Sequence, residues 1–503
     1  LVASVNTVSF LGLESNLIDV QVHFSSGLPS FKIVGLPDKT VNESKERVRS
    51  ALSSMGLSFP AKRITVNLSP ADSLKEGTHY DLPIAIGLLI EMEILPKEEL
   101  LEYLVLGELS LDGKIVAVNG ILPASMFANQ MDLGIIIPKE NYLEAKLSGL
   151  KNILPTQDLL QIINHFKGSQ IVIEEREVNI VPPKYPDLKE IKGQEEAKRA
   201  LEICASGNHN MLMVGPPGSG KSMLAERLPG ILPELEVKEI LEVMVINSIA
   251  GNLRENNIRG GINFARPFRS PHHNCSMPAL VGGGSKAKPG EITLAHRGVL
   301  FLDELAEFST QTLDSLRQPI ETKKVTVARV QSHITYPANF QLVSAMNPCK
   351  CGYLGANDKE CSRAPKCGQE YQSKISGPLL DRFDIFFEIP HLSTKEILSA
   401  KEGEDSAQIR NRVLKTRLIQ KERYKNEGIY TNNEMNNELI AKFCLLEKPA
   451  EDYLDKALDK LKLSMRGYNR VLKLARTIAD IDQSEIINKE HIAESLGYRR
   501  MNY

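Results

Sequence analysis

Residues 211–222 read MLMVGPPGSGKS, four apolar residues running into Gly215-Pro216-Pro217-Gly218-Ser219-Gly220-Lys221-Ser222. Two glycines separated by four residues and followed at once by Lys-Ser have the spacing of a phosphate-binding loop. Glycines let successive backbone N–H groups converge on phosphate oxygens. Lys221 adds a point charge, Ser222 offers a hydroxyl to Mg²⁺, and the next helix starts with its N-terminus toward the anion. A ligand-free glycine turn has no need of the whole set behind an apolar strand. The stretch predicts an α/β P-loop core that binds ATP, with a parallel sheet flanked by helices.

Downstream, GVLFLDE (298–304) is a second apolar strand, ending in Asp303-Glu304. An acidic pair at the carboxyl end of a buried parallel strand suits a Walker B site, with Asp303 holding Mg²⁺ through water and Glu304 polarising the attacking water. At 503 residues the chain has room for roughly three domains. Its 61 Lys and Arg against 63 Asp and Glu leave a net charge of −2, which excludes a polycation but not a local basic patch. No apolar run approaches the ~20 residues that cross a bilayer. The opening LVASVNTVSFLGLES lacks the features of a leader, so a cytoplasmic protein with no membrane partner is expected.

Organisation follows from pattern. Residues 1–168 alternate short strands with helical stretches. The segment from Asp38 to Leu57 places Val41, Val48, Leu52 and Met55 at helical spacing, and Asp112-Gly113 marks a hairpin within 104–118. Residues 169–186, with Pro182, Pro183 and Pro186, read as a linker. The ATPase core is expected over 187–391 and a small helical domain over 392–503.

GPPGSGKS together with RPFRSPHH (266–273), GEITLAHRGVLFLDE (290–304), AMNPC (345–349), GPLLDRFD (377–384) and SMRGYNR (464–470) resembles the ComM/YifB group of AAA+ ATPases, relatives of the magnesium-chelatase ATPase subunit. The resemblance implies an AAA+ core with a helical lid, a hexameric ring with nucleotide between subunits, and a DNA helicase promoting branch migration during recombination of incoming DNA. It implies that Asn347 is sensor 1. Arg382 would be an arginine finger given across a subunit boundary, a contribution worth ~10³–10⁵ in rate. Arg466 would be sensor 2, with Arg470, one turn later, as the other candidate. Gly193-Gln194 falls where the family's nucleotide-flanking segment begins.

An insert over 251–290 and a hairpin over 320–336 fit the same resemblance as loops lining a pore. Residues 254–290 hold Arg254, Arg259, Arg266, Arg269, Lys286 and Lys288 against Glu255, a net +5. The stretch 322–336 carries Lys323, Lys324 and Arg329 and no acid. By charge alone such runs are solvated faces as readily as DNA contacts, but cations on paired loops of a motor suit the phosphate backbone.

Cys349, Cys351, Cys361 and Cys367 fall within nineteen residues. Four thiolates could close a structural Zn²⁺ site, and free or partly oxidised thiols are the alternative. SPADSLKEGTHYDLPIAIGLL (69–89) and LGELSLDGKIVAVNGILPA (106–124) resemble the signature regions of Lon-type proteolytic domains. Thr78-His79-Tyr80-Asp81 stands where the serine is expected and Ile121-Leu122-Pro123 where the lysine is, so no peptidase is expected. Ser69 and Lys75 are the nearest substitute pair.

Overall fold

The computed structural model describes residues 2–174, 176–253, 261–284, 287–328, 333–354, 363–390, 396, 399, 403–461 and 464–499. The chain divides into two compact units, one of Leu1–Pro182 with Ile240–Phe264, the other of Pro183–Glu239 with Ala265–Tyr503.

In the first unit, β1 (Ala3–Leu11), β2 (Glu14–Ser25), β3 (Ser30–Val34), β4 (Arg63–Ser69), β5 (Tyr103–Val105), β6 (Gly134–Pro138) and β7 (Ile153–Thr156) form one sheet in the order β3-β4-β2-β1-β5-β6-β7. The helix Lys39–Ser54 starts where Asp38 accepts the amide of Val41, and it buries Val41, Val48 and Leu52, the stripe its spacing announced. The Asp112-Gly113 turn joins a short antiparallel pair, Glu108↔Val116 and Leu109↔Ile115. Residues 240–264, which lie between the two nucleotide motifs in sequence, pack into this unit. Met244, Leu253 and Ile262 bury against Leu122, and Ile262 pairs in parallel with Ile180. The insert therefore divides, its part up to Phe264 going with the N-terminal unit because apolar contacts, not the charges of 254–290, decide where it sits. Inside this packing Ser248, Asn141 and the amide of Leu122 all donate to the Glu144 carboxyl, which burial pushes up to about 7 against those hydrogen bonds.

In the second unit, β8 (Met211–Val214), β9 (Phe268–Arg269), β10 (Val299–Leu302), β11 (Gln341–Met346) and β12 (Ile385–Glu388) form a wholly parallel sheet in the order β9-β10-β11-β8-β12. β8, β10 and β11 are buried along their whole length, as expected for strands covered on both faces. The described residues after 403 are helical, with Ser406–Arg423, Asn437–Phe443, Lys448–Leu461, Met465–Ile481 and Lys489–Gly497 as the main elements. Val471, Leu472, Ala475 and Ala479 on one helix pack against Leu439, Leu454 and Ile492 on three others. Among the described residues, no helix is long and apolar enough to cross a membrane.

Candidate active site

Parallel strands send their carboxyl ends the same way, so Gly215 after β8, Asp303 after β10 and Asn347 after β11 emerge at one end of the sheet. Gly220, in the left-handed region at φ 88°, turns the chain into the helix Lys221–Ile231. Ser222 Oγ donates to Asp303 Oδ2 at 2.7 Å. Lys221 Nζ reaches the carbonyls of Gly215 and Pro216 at 2.8 Å and Asn347 Oδ1 at 3.3 Å. Burial lowers the Lys221 ammonium from its ordinary range and Asp303 offsets part of that. A hydroxyl and a carboxylate this close, beside a lysine aimed along the loop, fit Mg²⁺ and a nucleotide triphosphate. Two neighbours brace the loop. Gln194 Nε2 donates to the Ser219 carbonyl at 2.7 Å. Gly352 sits so close to Pro217 that a Cβ there would come within 2.5 Å of Pro217 Cδ.

Glu304 follows Asp303 in the left-handed conformation, φ 52°, and its amide donates to Asp303 Oδ1 at 2.8 Å. Its carboxylate is not free, because His273 Nδ1 lies 2.9 Å from Glu304 Oε2. In the sequence His273 is only the last residue of RPFRSPHH, inside the 251–290 insert. The signal for its role lies in strand register, which the sequence alone does not display.

The three arginines gather elsewhere. Arg382, Arg466 and Arg470 line one cavity of ≈ 200 Å³, together with Lys473, Glu321 and Asp384. Asp384 and Arg382 precede β12 and bond to Asn210, which precedes β8: Asn210 N donates to Asp384 Oδ2 and Asn210 Nδ2 to the Arg382 carbonyl, each at 3.0 Å. This cavity is therefore at the amino end of the sheet, a strand length of roughly 13 Å from the phosphate loop. Arg470 Nη1 donates to buried Asp384 at 2.6 Å, whereas exposed Arg466 makes no side-chain bond among the described residues. Arg382 is ion-paired to Glu321 and donates to the Pro378 carbonyl at 2.7 Å, its buried Nε having no partner among the described residues. Burial raises the Asp384 carboxyl, but Arg470, His209 and the amide of Asn210 outweigh that and hold it far below the usual range.

The cations proposed for DNA differ in their engagements. Arg266 is half-buried and donates to the Pro233 and Arg297 carbonyls, with Glu239 at 3.7 Å. Arg269 makes a two-pronged pair with Glu291 at 2.6 and 2.8 Å. Both are engaged within the chain. Lys288 and Lys324 are exposed. The hairpin forms from Lys324–Ala328 and His333–Pro337, with Val325 opposite Tyr336. Lys323 and Lys324 stand at its base, because the helix Arg317–Thr322 runs up to the first strand, and Lys323 is ion-paired to Glu434. Arg254, Arg259, Lys286 and Arg329 lie outside the described residues.

Zinc receives no support. Cys349 Sγ and Cys351 Sγ are 3.1 Å apart, closer than the ~3.8 Å that two thiolates ~2.3 Å from one tetrahedral Zn²⁺ would keep. Among the described residues, which exclude Cys361, no group of three or more ligating side chains, Cys367 included, gathers for a metal. In the N-terminal unit, Thr78–Tyr80 forms a single 3₁₀ turn, and Lys75 is buried with its ammonium donating to the Pro70 and Ser73 carbonyls. An ammonium so engaged is not a free base beside Ser69.

Comparison with known proteins covers nearly the whole chain. Family models described as magnesium chelatase, subunit ChlI, match residues 187–397, as subunit ChlI of Mg-chelatase residues 20–141, and as the ChlI C-terminal part residues 403–499. Competence protein ComM of Haemophilus influenzae is 44% identical across 98% of this chain and 96% of its own length. The uncharacterized protein YifB of Escherichia coli is 43% identical across 99% and 97%. Lon protease 2 of Bacillus subtilis is 26% identical over 31% of this chain and 32% of its own. The chain belongs to the ComM/YifB group of the magnesium-chelatase-like AAA+ ATPases.

Proposed function

We propose that the protein is an ATP-driven DNA translocase that works as a homo-hexamer and promotes branch migration when incoming DNA recombines during natural transformation. The observation that carries the reading is the separation of the two clusters. Lys221, Ser222, Asp303, Glu304 and Asn347 stand at the carboxyl end of the sheet, while Arg382, Arg466 and Arg470 stand at the amino end. Arginines so placed reach a γ-phosphate only if a second copy brings its phosphate loop to them, which is what a ring does. Lys221 and the loop amides bind phosphate, Ser222 and Asp303 hold Mg²⁺, and Glu304 takes the proton of the attacking water. Of the two sensor-2 candidates, Arg466 makes no side-chain bond among the described residues and Arg470 is held by Asp384. Bound Mg²⁺ neutralises the developing phosphate charge.

Lys288 and Lys324 supply sequence-indifferent contacts to the DNA backbone, with Lys323, Lys286 and Arg329 as further contacts on the same two loops. The name of the ComM relative agrees with a role in competence. The N-terminal unit has no peptidase activity, since neither Lon position carries its nucleophile or base. A remodeller of a partner protein, as the chelatase family name suggests, is the competing reading. ATPase rates with and without forked or four-way DNA, for the parent and a Lys323→Ala/Lys324→Ala variant, separate the two. Stimulation in the parent that weakens in the variant supports translocation, and a rate indifferent to DNA supports the remodeller.

A further inference from the structure

Arg382 is folded back onto its own subunit. Its side chain is only 10% exposed, ion-paired through Nη2 to Glu321 and donating from Nη1 to the Pro378 carbonyl at 2.7 Å, while the Glu321 side chain is 59% exposed. A guanidinium paired to a carboxylate presents little net charge to a phosphate, so the pair must part before Arg382 can stabilise charge developing on another subunit's nucleotide. The folded pose also leaves Nε buried without a partner among the described residues, an orphan that extension onto a phosphate relieves.

Glu321 is the penultimate residue of the helix Arg317–Thr322, and that helix is built into the hairpin that follows it. Lys323 turns in the left-handed region at φ 56° with its amide on the Pro319 carbonyl at 2.8 Å, and the first hairpin strand starts at Lys324. Thr322 Oγ1 lies 3.0 Å from both the Gln318 and the Lys324 carbonyls. The amide of Ala338, just past the second strand, returns to the Lys323 carbonyl at 2.8 Å and closes the base. Ahead of Arg382, Ser376 Oγ donates to Asp314 Oδ1 at 2.6 Å, which seats the arginine's segment against the end of the preceding helix, Thr310–Asp314. Exposed Lys324 and the carboxylate holding Arg382 are thus three residues apart on one hydrogen-bonded frame.

We propose that Glu321 is a positioning residue that latches Arg382 away from the neighbouring subunit's nucleotide, and that DNA held by the 324–337 hairpin draws the latch off. The proposal rests on the ring and translocase reading above. Its test is steady-state ATP hydrolysis by the full chain with and without four-way DNA, for the parent, Glu321→Ala and Glu321→Asp. Glu321→Ala frees the guanidinium, and its DNA-free kcat rises about tenfold, the scale of one hydrogen bond between charged groups. KM for ATP is unchanged and DNA adds nothing further. Glu321→Asp keeps the carboxylate and retains both the low DNA-free rate and the stimulation. A second arm reads the effect across the subunit boundary, by mixing parent either with Glu304→Gln or with the double variant Glu304→Gln/Glu321→Ala. Neither partner hydrolyses much by itself, but the double variant lends its freed arginine to parent sites and raises the rate per parent subunit above that of the single-variant mixture. A DNA-free kcat in Glu321→Ala at or below that of the parent overturns the latch, as does Glu321→Asp running as fast as Glu321→Ala. Equal rates in the two mixtures, beside a raised rate in Glu321→Ala, sink the ring reading and the action of the latch on a neighbour. A parent that ignores DNA sinks the translocase reading, while the DNA-free comparison of the two variants still decides the role of Glu321.

Discussion

Ser222 Oγ donates to Asp303 Oδ2 at 2.7 Å, joining the end of the phosphate loop to the end of the neighbouring acidic strand 81 residues later. In the proposed function the pair holds Mg²⁺, a hydroxyl and a carboxylate being oxygen ligands suited to that ion. Ser222→Ala and Asp303→Asn each weaken Mg²⁺-dependent nucleotide binding. Glu304→Gln leaves binding intact and lowers kcat by on the order of 10²–10⁴, the usual yield of a general base. Binding of a fluorescent ATP analogue alongside phosphate release checks both. Retained turnover in Glu304→Gln means that another group activates the water.

In the proposed ring Glu304 and Arg382, at opposite ends of one sheet, serve different nucleotides. Arg382→Ala and Glu304→Gln are each inactive alone. When the two variants are mixed and allowed to reassemble, some interfaces pair an intact base with an intact arginine, and ATPase activity reappears. A mixture as silent as its components places both residues at the same nucleotide.

Arg266 and Lys324 carry the same charge to different ends. Arg266→Ala strips a half-buried cation from the Pro233 and Arg297 carbonyls and lowers the thermal midpoint, while the salt dependence of DNA binding stays as in the parent. Lys324→Ala leaves the midpoint alone and reduces the slope of log K against log salt by about 1. Circular dichroism melts and salt-titrated DNA binding separate the two effects.

The Glu144 carboxyl, pushed up to about 7 by burial, makes the packing of residues 240–264 sensitive to pH. A carboxyl whose folded pKa is raised favours the native state most below its unfolded value near 4.5, and that advantage is lost as pH climbs through the folded value. The first unit therefore loses stability between about pH 4.5 and 7, by at most about 3 kcal/mol. Glu144→Gln flattens this slope. Amide hydrogen exchange at Leu122 and Ser248, followed across that window, reads it locally. A slope that persists in the glutamine variant assigns it to another group.

The ATP-binding half of the site was legible because its chemistry is local. Eight consecutive residues make the loop, two more finish the acidic strand, and their spacing alone predicts that they meet. The helix stripe at Val41, Val48 and Leu52 was legible for the same reason. What escaped depends on partners far apart in the chain. Nothing near Arg266 announces that the Pro233 carbonyl will claim it, and Arg269 reads as a free cation until Glu291 folds back onto it. His273 escaped because β9 is two residues long, too short to show as a strand, so the register that carries it to Glu304 was invisible.

The chain passes between its two units three times, after residues 182, 239 and 264. During synthesis the first unit cannot close until residue 264 has left the ribosome, by which point the phosphate loop is already outside. A protease that nicks the 169–186 stretch separates nothing, because two other peptide connections remain. A fragment ending at 182 would leave Leu122 and Met126 without the segment that covers them. The N-terminal unit is thus a domain in space but not in sequence, and its birth is tied to that of the motor.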